Sequence, residues 1–256
     1  MSESRSSFVA RTQPSYGAWC VIPSGYSAQL IAEAGFDWLC VDTQHGLVGF
    51  TELREIVQAV RFMGVPVLTR VSANSAGEIM RALDAGADGV VVPLVNSAEE
   101  AAAAVAACRY PPEGIRSWGP TGASIGRRPY TTQGANRETA CLVMIETRQG
   151  LDNVDEIAAV PGLDGVYVGP NDLGLSLGLP PGLTDHGPLL TDAIAGVADA
   201  CKRHGIVPGV AVYEPDALAA VEKWRGHGYT LFGLPSDGLL LRRAVDALLA
   251  SLPERQ

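Results

Sequence analysis

Eight short apolar runs alternate with longer amphipathic stretches along the chain. Each run is nearly continuous in Val, Leu, Ile, Cys and Trp, which is typical of parallel strands that are covered on both faces. Between the runs, apolar residues recur three and four positions apart, as in Leu53, Ile56, Val57 and Val60, so these stretches predict helices with one buried stripe. The predicted strands are 18–22, 38–42, 66–71, 89–94, 141–146, 165–169, 207–212 and 229–233.

A Gly-x-Asp pattern precedes three of the predicted strands, beginning at Gly35, Gly86 and Gly162. A glycine just past a helix adopts the left-handed conformation without a Cβ penalty, and the short polar Asp then turns the chain into the next strand. Eight such units predict an α/β fold, a (β/α)8 TIM barrel made of one domain, 1–256, with an irregular segment at 1–16. An open doubly wound sheet is the alternative, but no Gly-x-Gly-x-x-Gly or P-loop pattern follows any predicted strand.

Composition narrows the possible partners. The 256 residues are 47% hydrophobic, enough for a sizeable core, and the net charge of −9 argues against a nucleic acid or an anionic membrane surface as partner. No apolar run approaches the ~20 residues of a membrane span, and 1–16 lacks the apolar stretch of a secretory signal. We therefore expect a cytoplasmic protein that acts on a small molecule.

Two kinds of chemistry lack the residues that they need. The five cysteines are scattered without Cys-x-x-Cys spacing, so we expect neither structural zinc nor a disulfide framework. The two lysines, Lys202 and Lys223, lie in predicted helices, so no strand offers a lysine for Schiff-base chemistry. Two connections, 109–136 and 171–188, exceed ordinary loop length, which favours lids, binding loops or subunit contacts.

Polar side chains at the carboxyl ends of the strands meet at one mouth of a (β/α)8 barrel, where such enzymes place their active sites. The sequence puts seven polar residues there: Asp42, His45, Arg70, Glu146, Asp172, Ser236 and Asp237. Three other carboxylates fall at helix-to-strand junctions on the opposite rim, where we expect them to form turns: Asp84, Asp88 and Asp164.

Glu146 and Asp172 form the strongest candidate pair, because they lie about one strand and helix apart and so at adjacent strand ends. A ligand set of oxygens alone suits Mg²⁺, Mn²⁺ or Co²⁺ better than a tetrahedral zinc site. The alternative is an ion pair between one carboxylate and a nearby arginine such as Arg148. The turn formed by Gly169, Pro170, Asn171 and Asp172 also offers backbone N–H groups that could hold a substrate carboxylate.

His45 and Arg70 are candidates for handling protons and negative charge. A histidine at a strand end can take and return a proton near neutrality if its tautomer is fixed, and Asp42 is a plausible orienting group. A guanidinium buried at a strand end needs an anionic or carbonyl partner. That partner is either a substrate or one of the carboxylates Asp42 and Glu146.

These positions resemble the HpcH/HpaI aldolase family, the metal-dependent class II pyruvate aldolases of the citrate-lyase-like superfamily, typified by 4-hydroxy-2-oxo-heptane-1,7-dioate aldolase. The resemblance covers most of the chain and is most specific in two motifs. They are Arg-Tyr-Pro-Pro-x-Gly-x-Arg at 109–116 and Gly-Pro-x-Asp-Leu at 169–173. Asp42, His45, Arg70 and the Ile-Glu-Thr sequence around Glu146 also match.

The resemblance implies reversible cleavage of a 4-hydroxy-2-oxo acid into pyruvate, or a related 2-oxo acid such as hydroxypyruvate, and an aldehyde. It implies that Glu146 and Asp172 hold a divalent cation and that Arg70 binds the keto oxygen. It also implies that His45, with Asp42, transfers protons, and that Trp19 and the 169–172 backbone line the substrate site. The last helix would pack on a neighbouring subunit in a homo-oligomer, a trimer or a homohexamer.

The sequence departs from the family pattern in two places, and both departures remove polar groups near the expected site. Thr43 and Gln44 stand where Gly-Glu is common, and Met144 stands where Gln is common. Two alternative functions therefore stay open. One is a lyase for a malyl- or citramalyl-CoA thioester, which would need a basic CoA-binding groove, although Arg127 and Arg128 are the only tight basic pair near the mouth. The other is a barrel that binds an oxo acid without turning it over.

Overall fold

Eight parallel strands close into a barrel in which each strand pairs with its neighbours in chain order. The structure is a computed structural model, and it describes residues 13–180, 187–214 and 216–253. The strands are β1 Ser15–Cys20, β2 Trp38–Asp42, β3 Val67–Arg70, β4 Gly89–Val92, β5 Ala140–Ile145, β6 Gly165–Val168, β7 Val207–Ala211 and β8 Leu231–Leu234. The predicted (β/α)8 barrel is confirmed.

Helices fill every connection between strands. They are α1 Gly25–Glu33, α2 Phe50–Val60, α3 Ala76–Ala85, α4 Ala98–Cys108, α5 Thr132–Glu138, α6 Arg148–Asp152, α7 Val154–Ala158, α8 Pro170–Ser176, α9 Gly187–His204, α10 Ala217–Gly226 and α11 Asp237–Ala250, with a 3-10 turn at Arg61–Met63. None of the helices in these described ranges is long and apolar enough to cross a membrane.

Each of the eight predicted strands is present, with ends shifted by a few residues. β1 begins at Ser15, three residues before the predicted start, and residues 1–12 of the predicted irregular segment lie outside the described ranges. The long connection predicted at 171–188 is partly helical, because α8 and the start of α9 lie within it. Residues 181–186 of that connection also lie outside the described ranges.

The Gly-x-Asp junctions adopt the predicted geometry. Gly35, Gly86 and Gly162 have φ values of 97°, 109° and 85°, in the left-handed region that favours glycine. The aspartate that follows each glycine accepts a backbone N–H from the start of the preceding strand. These bonds join Asp37 to Tyr16, Asp88 to Val67 and Asp164 to Cys141, each at 2.8 Å. The repeat therefore ties each junction to the neighbouring strand at the amino ends of the barrel.

Arginines from the long connection after α4 reach the same rim. Arg109 pairs with Asp164 at 3.2 Å, Arg116 with Asp84 at 2.8 Å, and Arg127 with Asp88. The prediction that these aspartates are structural groups of the opposite rim is confirmed. The prediction that Arg127 lies near the mouth is wrong, because the connection folds back beneath the amino ends of the strands.

Side chains alternate along the strands between two apolar layers. In β2, Leu39 and Val41 pack outward against the helices, while Trp38 and Cys40 point into the barrel. The interior layer ends at the carboxyl side with Trp19, Met144 and Tyr167. This layer is the floor on which the polar mouth is built.

α11 presents an apolar face to solvent. Four of its residues and one residue shortly after it are spaced along one side and are 44–62% exposed: Leu241, Val245, Leu248, Leu249 and Leu252. Its first turn, in contrast, is fixed to the barrel, because buried Asp237 accepts N–H groups from Val21 and Ile22 and a hydroxyl from Ser27. Asp237, together with Ser236, which caps the helix, is thus a structural group.

Candidate active site

A pocket of about 120 Å³ lies at the carboxyl ends of the strands. Seven of the nine residues that the sequence analysis assigned to the site line it: Trp19, His45, Arg70, Gly169, Pro170, Asn171 and Asp172. Larger cavities occur elsewhere, but one of about 650 Å³ lies at the amino ends, between α9 and α10. Convergence of titratable groups, rather than volume, therefore marks this pocket as the candidate site.

Arg70 and Asp42 form a buried ion pair beneath the pocket. The β2–β3 register places the two residues directly opposite each other. Arg70 Nε donates to Asp42 Oδ1 at 2.9 Å and Nη2 donates to Oδ2 at 2.5 Å. The guanidinium also lies 4.7 Å from the centre of the Trp19 ring. Asp42 is thus the anionic partner that a buried Arg70 requires, and Nη1 keeps its hydrogens for another acceptor.

The charge of Arg70 controls the ionisation of Asp42. Burial alone would raise the pKa of Asp42, but the hydrogen bond and positive charge of Arg70 hold it below its ordinary value. The backbone N–H groups of Gln44 and His45, which donate to Asp42 Oδ1 at 3.0 and 3.1 Å, lower it further. Asp42 therefore remains an anion that holds both the arginine and the turn after β2.

His45 lines the pocket and is exposed at its rim. The hydrogen bonds to Asp42 come from Arg70 and from the backbone N–H groups of Gln44 and His45, and none joins it to the His45 ring in the part of the chain that the structure describes. Asp42 instead fixes the backbone on which His45 stands. Among the described residues, no side chain hydrogen-bonds to the His45 ring, so the imidazole is free to meet a ligand.

Glu146 is a buried carboxylate with one oxygen in use. Its Oε1 accepts the backbone N–H of Leu94 at 2.8 Å, whereas Oε2 lies beside Gly169. Burial raises the pKa of Glu146; the Leu94 N–H opposes this rise, and the negative charge of Asp172 adds to it. The alternative of a Glu146–Arg148 ion pair is not observed, since Arg148 pairs with Asp152 at 3.8 Å.

The geometry around Glu146 fits a divalent cation. Glu146 is buried and Asp172 is exposed at the pocket, and their negative charges repel each other. A shared cation would remove that repulsion, and oxygen donors suit Mg²⁺, Mn²⁺ or Co²⁺. A Cβ on Gly169 would lie only 3.0 Å from Glu146 Oε2, so the glycine keeps the space beside that oxygen open. Within the described ranges no group of three or more His, Cys, Asp and Glu residues forms a metal cage. A cation here would thus take its remaining ligands from water or substrate.

Four residues extend the pocket beyond the assigned set. They are Met144, Tyr167, Ala211 and Tyr213, of which the sequence analysis considered Met144 alone. The backbone carbonyl of Tyr213 accepts a hydrogen bond from Arg243 of α11 at 3.0 Å. Burial raises the pKa of the Tyr213 phenol to about 12. Tyr167 faces inward in register with Met144, but strand alternation alone does not show that its side chain reaches the pocket.

Fold and pocket together define a (β/α)8-barrel enzyme whose mouth gathers carboxylates, an arginine and a histidine around a small pocket. The chain belongs to the HpcH/HpaI aldolase/citrate lyase family, whose model matches residues 16–244. The family assignment confirms the predicted resemblance and, with the curated relatives, the prediction of an aldolase-type carbon–carbon lyase.

Curated and solved relatives resemble the chain over nearly its whole length. It is 36% identical to 2-dehydro-3,6-dideoxy-6-sulfogluconate aldolase of Pseudomonas putida, over 94% of this chain and 93% of that protein. It is 37% identical to 4-hydroxy-2-oxovalerate aldolase of Rhodococcus jostii, over 94% and 91% of the two chains. An HpcH/HpaI aldolase/citrate lyase family structure from Burkholderia cenocepacia superposes with a TM-score of 0.85 at 33% identity, covering 95% of this chain and 96% of that one.

Proposed function

We propose that this enzyme is a metal-dependent aldolase that reversibly cleaves a 4-hydroxy-2-oxo acid into pyruvate, or a related 2-oxo acid, and an aldehyde. The observation that carries the proposal is one small pocket lined by Arg70, His45 and Asp172, with the buried carboxylate of Glu146 beside Gly169 at its edge and within reach of the charges of Asp172 and Arg70. The substrate named for the Rhodococcus jostii relative, 4-hydroxy-2-oxovalerate, belongs to this class of compound.

The proposed chemistry requires stabilisation of an enolate. Glu146 and Asp172 would hold Mg²⁺, Mn²⁺ or Co²⁺, which as a Lewis acid withdraws charge from the oxygens of a bound oxo acid. Arg70, held by Asp42 through Nε and Nη2, donates from Nη1 to the keto oxygen as negative charge develops there. The backbone of residues 169–172 lies along the pocket where a substrate carboxylate would bind.

His45 supplies the proton transfers. In the cleavage direction its imidazole takes the proton of the C4 hydroxyl, the C3–C4 bond breaks, and the aldehyde leaves with the C4 oxygen. The electron pair of that bond remains on the oxo acid as the enolate, and protonation at C3 gives pyruvate. The exposed position of His45 at the pocket rim allows it to reach the C4 side of the substrate.

A coupled assay tests the proposed function. Purified enzyme should release pyruvate from 4-hydroxy-2-oxovalerate, lose that activity with EDTA, and regain it with Mn²⁺ or Co²⁺. With pyruvate alone it should exchange the methyl protons for deuterium, which a barrel that only binds oxo acids would not do. Absence of both pyruvate release and exchange across a panel of 4-hydroxy-2-oxo acids would overturn the proposal.

A CoA thioester substrate has less support. The basic pair invoked for it included Arg127, which instead pairs with Asp88 at the opposite rim. Assaying malyl-CoA beside the free oxo acids separates the two substrates directly. Cleavage of the thioester at a higher kcat/KM than any free oxo acid would favour the thioester lyase.

Replacing His45 by alanine is expected to lower kcat for cleavage by about 10²-fold, because the proton of the C4 hydroxyl loses its acceptor. The KM for the oxo acid should change little, since the oxo acid would be bound by Arg70 and by the cation that Glu146 and Asp172 hold. Steady-state kinetics measure both constants. His227→Ala is a suitable control, because His227 lies at the end of α10 against Trp224, outside the pocket. Wild-type kcat in His45→Ala would remove His45 from the mechanism.

We also propose that the chain assembles into a trimer or hexamer through the apolar face of α11. That face is exposed over four turns, and contiguous apolar surfaces of this kind are typical of subunit contacts. The expected result is a multiple of the 26.8 kDa chain mass in light scattering. Leu248→Asp together with Leu249→Asp should shift the mass toward the single chain, whereas Leu218→Asp, an exposed leucine on α10, should not. If the wild-type enzyme has the mass of a single chain in light scattering, the proposed assembly is wrong.

A further inference from the structure

Tyr167 of β6 reaches across the interior of the barrel. Its side chain is fully buried, and its ring passes over β7 toward β8. A Cβ on Gly209 would lie 2.7 Å from the Tyr167 ring, and a Cβ on Gly233 would overlap the Tyr167 hydroxyl. The Tyr167 side chain therefore fits only because residues 209 and 233 are glycines. The backbones of β7 and β8 fix the position of its hydroxyl.

The Tyr167 hydroxyl has no hydrogen-bond partner among the described residues. The indole nitrogen of Trp19 lies beside this hydroxyl, since a Cβ on Gly233 would meet both atoms and would lie 2.7 Å from the nitrogen. This nitrogen also has no hydrogen-bond partner within the described ranges. Both side chains line the pocket, and the Trp19 ring also contacts Arg70. A buried hydroxyl without a hydrogen bond costs free energy, so such a group at a pocket indicates a bond made when a ligand is present.

Position separates Tyr167 from unpartnered groups elsewhere in the barrel. Trp38 Nε1 and Thr69 Oγ1 are also buried without a partner, but neither residue lines the pocket. Asn171 Oδ1 is unpartnered at the pocket too, but a carbonyl oxygen can only accept a hydrogen bond, whereas the Tyr167 hydroxyl can donate one.

Burial raises the pKa of the Tyr167 phenol, and Tyr213 adds to that rise. The neighbouring Trp19 N–H and the charge of Arg70 oppose the rise. The phenol therefore stays protonated at neutral pH and can donate a hydrogen bond to an oxygen.

We propose that Tyr167 is a substrate-binding residue whose hydroxyl donates a hydrogen bond to an oxygen of the 2-oxo acid on the floor of the pocket. This inference rests on the proposed function, since it assumes that the pocket binds an oxo acid. It adds a neutral donor from β6 to the charged groups of Arg70 and the carboxylate pair. Tyr167 thereby favours ligands that carry an oxygen at the pocket floor over apolar ligands of the same size.

Tyr167→Phe tests the inference, because it removes one oxygen and leaves the ring in place. Titration calorimetry with pyruvate in the presence of Mn²⁺ should give about tenfold weaker binding than wild type, the usual effect of losing one hydrogen bond to a ligand. Mn²⁺ affinity without pyruvate should be unchanged. The unfolding temperature of the free variant should equal or exceed that of wild type, because no protein hydrogen bond is lost.

Tyr229→Phe is the matched control. Tyr229 is equally buried, but its hydroxyl donates to the Ile194 carbonyl at 2.7 Å, away from the pocket. This variant should unfold at a lower temperature and bind pyruvate as wild type does. A Tyr167→Phe enzyme with wild-type pyruvate affinity overturns the inference alone. A wild-type enzyme that neither binds pyruvate nor releases it from 4-hydroxy-2-oxovalerate overturns the proposed function and this inference with it.

Discussion

Replacing Arg70 by lysine is expected to lower kcat for oxo-acid cleavage by about 10²-fold or more, the effect typical of removing one donor from a developing oxyanion. The bidentate bond to Asp42 fixes the Arg70 fork so that Nη1 remains for the substrate. A lysine ammonium is a single point donor that cannot hold Asp42 through two bonds and offer a third in a fixed direction. Steady-state kinetics with 4-hydroxy-2-oxovalerate measure the loss.

A control variant, Arg109→Lys, separates the effect of Arg70→Lys on turnover from its effect on stability. Arg109 is as buried as Arg70 and pairs with Asp164 at the opposite rim. Arg109→Lys should therefore lower the unfolding temperature by an amount similar to Arg70→Lys while the folded enzyme keeps its kcat. If Arg70→Lys loses stability but retains turnover, Arg70 is a structural partner of Asp42 and has no part in the reaction.

The sequence predicts the barrel well because parallel strands buried on both faces leave an unmistakable pattern. The apolar runs and the glycines at positions 35, 86 and 162 mark where strands and junctions fall, and both are local properties of the chain. Asp42, Arg70 and Glu146 follow from the same pattern, since any polar residue that ends an apolar run lies at the mouth. What the pattern does not contain is strand register, so it could not decide that Asp42 bonds to Arg70 rather than to the His45 ring.

The errors come from long connections and from aromatic residues of the interior. Arg127 lies in a connection without periodicity, and its end of the barrel is decided by the ion pair to Asp88, which is distant in sequence. Tyr167 reads as an ordinary core residue of β6, because nothing local shows that Gly209 and Gly233 leave room for its ring. Tyr213 follows the end of β7 and looks like the start of a loop. Each of these placements depends on contacts between elements.

Replacing Glu146 by glutamine is expected to abolish metal-dependent cleavage, with kcat/KM lower by at least about 10²-fold. Removing a group that only supports a metal ligand lowers metal affinity or activity by about 10- to 100-fold. Glu146 would be a direct ligand, so its replacement should lower them by at least about 10²-fold. The amide oxygen can still accept the Leu94 N–H, so the local backbone should persist. The variant should bind Mn²⁺ at least 10²-fold more weakly in a direct titration.

The stability of the metal-free variant decides what Glu146 contributes. Burial and the charge of Asp172 raise the pKa of Glu146, so the ionised carboxylate is a cost to the folded state that a cation relieves. A neutral amide removes that cost, and metal-free Glu146→Gln should unfold at the same temperature as the metal-free wild type or above it. Asp152→Asn, which alters an exposed carboxylate on α6, should leave metal affinity, turnover and stability unchanged. If metal-free Glu146→Gln is instead strongly destabilised while its activity survives EDTA, Glu146 serves the fold through Leu94 and the proposed cation site is wrong.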